Sequence, residues 1–223
     1  MTLEQLIERF RIDSNDRVTP YFCSDEDVAA WLNDAEEEAA IRARLLVEDS
    51  NPAMCELAIV AGQAEYTLHA KVYEIVHQTF QAVGAGRRTP LVVVTREMLD
   101  RVFPDWRDQP SGEPRWLLQS ETTARLVPTP SSDGLVRLEV YRLPLKRMAS
   151  ETHKPEIHEA NHLHLVQWAL HKGYSIPDAD FGDASRARTA LEAFERHFGK
   201  RPDADMRRST RADEVQSNVS YIF

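Results

Sequence analysis

The sequence predicts an α+β protein: a four-helix bundle with a β-rich insertion and an extended C-terminal arm. Three observations predict it. Apolar residues recur at three- and four-residue steps near the start of the chain and again before Gly199, the spacing of helices that bury one face. Between these stretches the pattern shortens to alternation and brief apolar runs punctuated by Gly and Pro. After Gly199 the chain turns polar and basic, then ends on an apolar run. The division follows: 1–54 carries helices 1 and 2, 55–145 the insertion, 146–199 helices 3 and 4, and 200–223 the arm. Helices on either side of an insertion bury their stripes by packing on each other.

Taken in order, Thr2 caps a first helix whose face is Leu3, Leu6, Ile7 and Phe10. Arg11–Pro20 is a polar loop ending at a proline. Ser24 opens a second helix, with Asp25, Glu26 and Asp27 at its positive end and Asp27 at the capping-box position. Val28, Trp31, Leu32, Ala35, Ala39, Arg42 and Leu46 continue it to about Asp49, where Asn51-Pro52 breaks it. Leu57–Val60, Ala64–His69 and Val72–Val83 read as strands, with Tyr66 and Leu68 on one face and Gly84-Ala85-Gly86 as a turn. Leu91–Val94 is a further strand, and Thr95 caps a short helix carrying Met98, Leu99, Val102 and Phe103. A Pro-rich loop around Trp106, with Asp105 and Arg107, follows; it reads either as a binding loop or, the favoured reading, as a loop that the aromatic anchors. Trp116–Gln119, Ala124–Val127 and Leu135–Tyr141 are strands, with Pro128–Gly134 as a hairpin loop.

The stretch Pro155–Tyr174 is the central helix. Pro155 suits its first turn, and Gly173 before Pro177 suits its stop. Leu163, Val166 and Leu170 form one apolar stripe and Leu165, Trp168 and Ala169 another, so it packs on several neighbours. Trp31, Leu32, Leu3, Leu6, Ile7 and Trp168 are expected to share one core, at about 3–5 kcal/mol for truncating Trp168 to alanine. A last helix spans Ala184–Phe198, with Leu191, Phe194 and Phe198 on its face and Gly199 as its stop.

His158-Glu159-Ala160-Asn161-His162 matches H-E-x-x-H. On a helix, residues four apart share a face, so two imidazoles can hold Zn²⁺ while the glutamate acts as general base. A zinc-dependent hydrolase is therefore the alternative function. The motif sits at a helix start, and no downstream element announces a third ligand, so His158 and His162 are expected to be polar surface or interface residues. No Gly-rich phosphate loop, G-x-S-x-G or paired Cys-x-x-Cys occurs. The expectation is no catalytic residue, no metal and no cofactor.

Composition narrows the partners. An apolar fraction of 42% in 223 residues supports a packed core. A net charge of −9 argues against gripping DNA through counterion release. Cys23 and Cys55 read as free thiols of a reducing compartment. The start MTLEQLIERF lacks a signal-peptide core, and no run is long enough to span a bilayer. In the arm, Arg207, Arg208 and Arg211 suit phosphate or acidic protein, with protein favoured by the overall charge. Val219, Tyr221, Ile222 and Phe223 suit docking on a partner, since aromatic anchors carry interface energy.

The ordered series SDEDVAAWLNDAEEEAAIRARLL, GQAEYTLHAKVYEI, TREMLDRVFPDWRDQPSGEPRWLL, ARLVPTPSSDGLVRLEVYRLPL and HLVQWALHKGYSIPDAD resembles the head-to-tail adaptor proteins of tailed bacteriophages, of the tail-tubular or neck-adaptor type. The resemblance runs over about 1–202. It implies a virion structural protein of the neck, assembled in the host cytoplasm as a dodecameric ring under the portal protein. Such a ring extends the channel through which genomic DNA passes without sequence-specific binding, and it attaches a tail or nozzle protein. It also implies that the C-terminal segment docks on the portal, which fits Tyr221, Ile222 and Phe223; Arg207, Arg208, Arg211 and Val219 are expected to join that contact. The histidine density near His158–His164 is not part of the resemblance.

Overall fold

The structure, a computed structural model, describes residues 1–177 and 181–202. It is α+β, with six α-helices and two sheets among the described residues. The chain divides into two compact units: a helical unit of Met1–Val47 and Tyr141–Arg201, and a β unit whose described part is essentially Glu48–Val140. No described helix is long and apolar enough to cross a membrane.

In the helical unit, α1 (Leu3–Ser14) opens on a capping box between Thr2 and Gln5. Helix α2 (Asp25–Ala43) opens on Ser24, whose hydroxyl oxygen accepts from the Asp27 N–H. The Asp27 carboxylate accepts from the Ser24 hydroxyl at 2.6 Å and not from the Ser24 backbone N–H, so the predicted capping box is only half formed. Helix α2 ends earlier than its apolar spacing predicts, because Arg44 turns left-handed at φ 51°. Asn51-Pro52 starts the short helix α3 (Pro52–Cys55), with Asn51 capping Ala53.

Helix α5 (His162–Tyr174) packs against α1, α2 and α6 (Ala184–Phe198). Leu165, Val166, Ala169 and Leu170 are buried with Leu6, Phe10, Leu32 and Phe194 in one core. Trp31, Ile7 and Trp168 pack on its edge, half-buried, and Leu163 faces solvent. Gly173 does not stop α5: a Cβ there would lie 3.3 Å from Phe10 and 3.2 Å from Phe181, so the glycine lets neighbours come close. Helix α6 ends where predicted, with Gly199 at φ 85°.

The first sheet of the β unit has the order β1-β9-β4-β5, from β1 (Val47–Glu48), β4 (Val72–Ala82), β5 (Thr89–Pro90) and β9 (Gly134–Arg142), with β2 (Glu56–Ile59) also paired to β9. The second has the order β3-β8-β7-β6, from β3 (Glu65–Thr67), β6 (Val92–Val93), β7 (Trp116–Gln119) and β8 (Thr123–Val127), where β6 and β7 run parallel. Buried Tyr66, Leu117 and Leu126 of the second sheet meet Phe80, Val136 and Leu138 of the first in one apolar core. Gly134 is required there, because a Cβ would meet the Phe80 ring and the Gln81 carbonyl at 2.6 Å.

Pro128–Gly134 is not a hairpin loop. Strands β8 and β9 belong to different sheets. The segment between them pairs instead with the long loop after α4 (Arg96–Val102), through Gly112 N–H to Thr129 and Ser131 N–H to Gly112.

Candidate functional site

The H-E-x-x-H residues do not share a helix face. Residues before α5 form a single 3₁₀ turn at Glu159–Asn161, and His158 is its cap, with Nδ1 accepting from the Ala160 N–H at 3.2 Å. The helix expected from Pro155 starts only at His162. His162 is buried, and both its ring nitrogens are engaged. Nε2 faces the Ile157 carbonyl at 2.9 Å, so it carries the proton, and Nδ1 accepts from the Met1 amine at 2.8 Å. Burial holds the His162 pKa below the usual histidine range. Glu159 lies exposed on the same amine, 3.4 Å away. The motif thus ties α5 to the start of α1, and the i,i+4 geometry its zinc chemistry depends on is not formed. His164 stacks on His197 of α6, with ring centroids 3.5 Å apart.

The segment ahead of α5 is fastened to α2. Glu36 is only 1% exposed, and its carboxylate accepts the backbone N–H groups of Glu156 and Ile157. Burial pushes the Glu36 pKa up to about 7, against the lowering effect of the two amide bonds. The Glu156 carboxylate in turn accepts from the Leu145 and Lys146 N–H groups and from Arg142. One α2 turn away, Asn33 accepts from the Met148 N–H at 2.7 Å and donates to its carbonyl at 3.1 Å. The Leu3 N–H of α1 donates to the His153 carbonyl at 2.8 Å. Residues 142–158 are therefore a strap, sewn to α1 and α2 by buried polar groups.

A second polar cluster braces the α1–α2 loop. Arg11, at the end of α1, pairs with buried Asp16 and with Asp25 at 2.6 Å. Asp16 also accepts the Phe22 N–H at 3.1 Å and the Cys23 N–H at 3.3 Å. The Arg11 guanidinium lies 3.9 Å from the Tyr21 ring centroid. Cys23 and Cys55 are free and buried. Burial, then the Asp16 carboxylate, pushes the Cys23 thiol up to about 11, which keeps it protonated and unreactive.

In the β unit, Trp106 anchors its loop as expected. The ring is buried with Leu99, Leu118 and Val127, and Nε1 donates to Asp100 at 2.7 Å. Arg107, then Trp106, holds the Asp100 carboxyl below the usual range by hydrogen bonding. Arg207, Arg208, Arg211, Val219, Tyr221, Ile222 and Phe223 lie outside the described residues. The strap residues Asn33, Glu36 and Glu156 were missed from sequence. The available signal was a glutamate at 36 on the same helix face as Leu32 and Ala39, where an apolar residue belongs.

Every polar cluster described here holds backbone in place: the strap, the α1–α2 loop and the Trp106 loop are all fixed by side chains spent on amides and counter-ions. Residues 1–216 match the family model described as SU10 adaptor protein, and the chain belongs to that family. It is a phage adaptor-type structural protein and a virion component. No curated protein matches it.

Proposed function

We propose that the chain is the head-to-tail adaptor of a tailed phage, a ring subunit in the neck beneath the portal protein. The ring extends the DNA channel and offers the tail or nozzle protein its attachment site. The family match across 1–216 carries this reading. Helices α1, α2 and α6, packed around α5, serve as the bundle that builds the ring, and the β unit is the inserted module. A charge of −9 suits a wall along which DNA slides without being held. Twelve copies are the number the tail-tubular resemblance implies. We read the chain as structural, with no catalytic role for His158, Glu159 or His162.

The arm at 200–223 is assigned to the portal, with Arg207, Arg208 and Arg211 as a basic tether and Val219, Tyr221, Ile222 and Phe223 as its apolar end. Negative-stain microscopy of the protein mixed with portal tests the whole: a ring stacked coaxially on the portal is expected. A chain lacking Val219–Phe223 should keep its helical circular dichroism and fail to stack. Stacking by the truncated chain equal to the full chain would move the attachment off the arm.

A further inference from the structure

Two exposed features of this chain complement one another. The first is one end of the helical unit. There the Phe22 ring, 61% exposed, stacks on Phe181 at 5.4 Å, and Phe181 stacks on Tyr174 at 5.3 Å. Val18 stands 79% exposed in the same loop. Large apolar groups so exposed on a monomer mark a surface meant for contact. The backbone at Phe22 and Cys23 is held by their bonds to Asp16, which lowers the ordering cost of binding there. Next to them α2 opens with exposed Asp25, Glu26 and Asp27; Arg11 pairs with Asp25, which leaves Glu26 and Asp27 as the acids without a cationic partner among the described contacts.

The second feature is the tip of the β4–β5 hairpin in the β unit. Val83 is 78% exposed, followed by Gly84-Ala85-Gly86 and then exposed Arg87 and Arg88. Val60 of a neighbouring loop is 53% exposed. Asp133 braces both loops, its carbonyl accepting from Val83 N–H at 2.9 Å and its carboxylate from Ala61 N–H at 2.8 Å. The tip is thus a firm, slim apolar finger followed by two cations.

We propose that the hairpin tip of one copy seats on the aromatic end of the next copy's helical unit. Val83 and the small glycine-rich turn lie against Phe22 and Val18, while Arg87 and Arg88 face the acids that open α2. The opposite charges set the register and the apolar contact supplies the affinity. The joint uses two different surfaces, so it is head-to-tail and repeats from copy to copy until a ring closes. This rests on the ring-subunit reading above and names the contact that builds the ring.

Light scattering on size-separated full-length protein tests it with two variants, Phe22→Ser/Glu26→Arg at the aromatic end and Val83→Ser/Arg87→Glu/Arg88→Glu at the tip. The unaltered chain should assemble, and each variant alone should lose assembly at least about tenfold in concentration. Mixed in equal amounts they should give dimers and nothing larger, since one intact tip meets one intact aromatic end and both remaining surfaces are spoiled. Val18→Ser and Val60→Ser form a second pair should the first fold poorly by circular dichroism. Variants that assemble like the parent, or a mixture that stays monomeric while the parent assembles, would overturn the contact and leave the ring reading standing. A parent that is monomeric at all concentrations, both alone and mixed with portal, would overturn both.

Discussion

The two units hold themselves together differently. Among the described residues, the buried polar side chains Arg11, Ser14, Asp16, Asn33, Glu36 and His162 all belong to the helical unit, and Gln78 belongs to the β unit. The β core is otherwise apolar, built from residues such as Leu117, Leu126, Val136 and Val140. The difference follows from where each architecture keeps its backbone hydrogen bonds. A sheet joins distant segments through the backbone itself, as β2 joins β9 from Glu56↔Arg137 to Ile59↔Gly134. A helix satisfies its backbone internally, so nothing in its ladder fixes the loops between helices. In the helical unit that task falls to side chains: Asp16 for the α1–α2 loop, and Asn33 and Glu36 for the strap. The helical unit is therefore the part that should respond to charge and pH.

The largest effect expected from this contrast comes from Arg11→Met. It leaves Asp16, 3% exposed, without its counter-ion while the loop amides still converge on it. Removing one partner of a buried pair costs about 3–5 kcal/mol. Denaturant unfolding followed by helical circular dichroism measures it, and a loss below about 1 kcal/mol would show that water reaches Asp16 and carries its charge.

In the β unit the matching probe is Leu117→Ala, at a position with no exposed surface in the centre of the apolar core. The expected loss is about 2–5 kcal/mol, from transfer and cavity together. It should be the same at pH 5 and pH 8. A pH-dependent loss would mean that the β core holds a titrating group.

Glu36→Gln gives a smaller change of opposite sign. The folded-state pKa of Glu36 is raised to about 7 from an ordinary 4.5, so the carboxyl binds its proton more tightly in the folded chain. Its contribution is fully present below pH 4.5 and is lost as pH rises through 7. Glutamine removes that loss but accepts the Glu156 and Ile157 amides less strongly than a carboxylate. The net at pH 8 is a gain of about 1–2 kcal/mol, vanishing near pH 5. Melting curves at the two pH values check it. A variant less stable than the parent at pH 8 would mean that the charged bonds to the strap outweigh the burial.

These same groups show what could and could not be read from the sequence. Caps are local: Thr2, Ser24, Thr95 and Gly199 each act within four residues, and each ends or opens a helix as its spacing predicts. Strand alternation is local too, and Val136, Leu138 and Val140 of β9 are buried in step. The strap depends on partners far away in the chain, Glu36 with Ile157 and Asn33 with Met148, and no local pattern announces such pairs. The start of α5 at His162, after the 3₁₀ turn at Glu159–Asn161, is what removes the H-E-x-x-H geometry. The hairpin expected at Pro128–Gly134 failed because alternation identifies strands but not which sheet each one joins.

Trp168 tests the edge between core and surface with the smallest change. From spacing alone it is a core residue, and its truncation to alanine is expected to cost about 3–5 kcal/mol. The structure places it half-buried at the rim, 5.1 Å from the Phe194 ring. The Arg42 guanidinium lies 5.3 Å from both rings and is held by Glu38 at 3.0 Å. Truncation therefore removes less buried area than in a full core position but also exposes Arg42, and about 2–3 kcal/mol is the better expectation. The sharper variant is Trp168→Phe. The indole Nε1–H is buried and makes no hydrogen bond, which a tryptophan in a core ordinarily avoids. Phenylalanine keeps an aromatic face for Arg42 and Phe194 and removes the unpaired donor, offsetting the area it gives up. The stability change should fall within about 1 kcal/mol of zero. A loss as large as that of the alanine variant would show that the indole donor has a partner after all, and that the rim of this helical unit is polar by design there too.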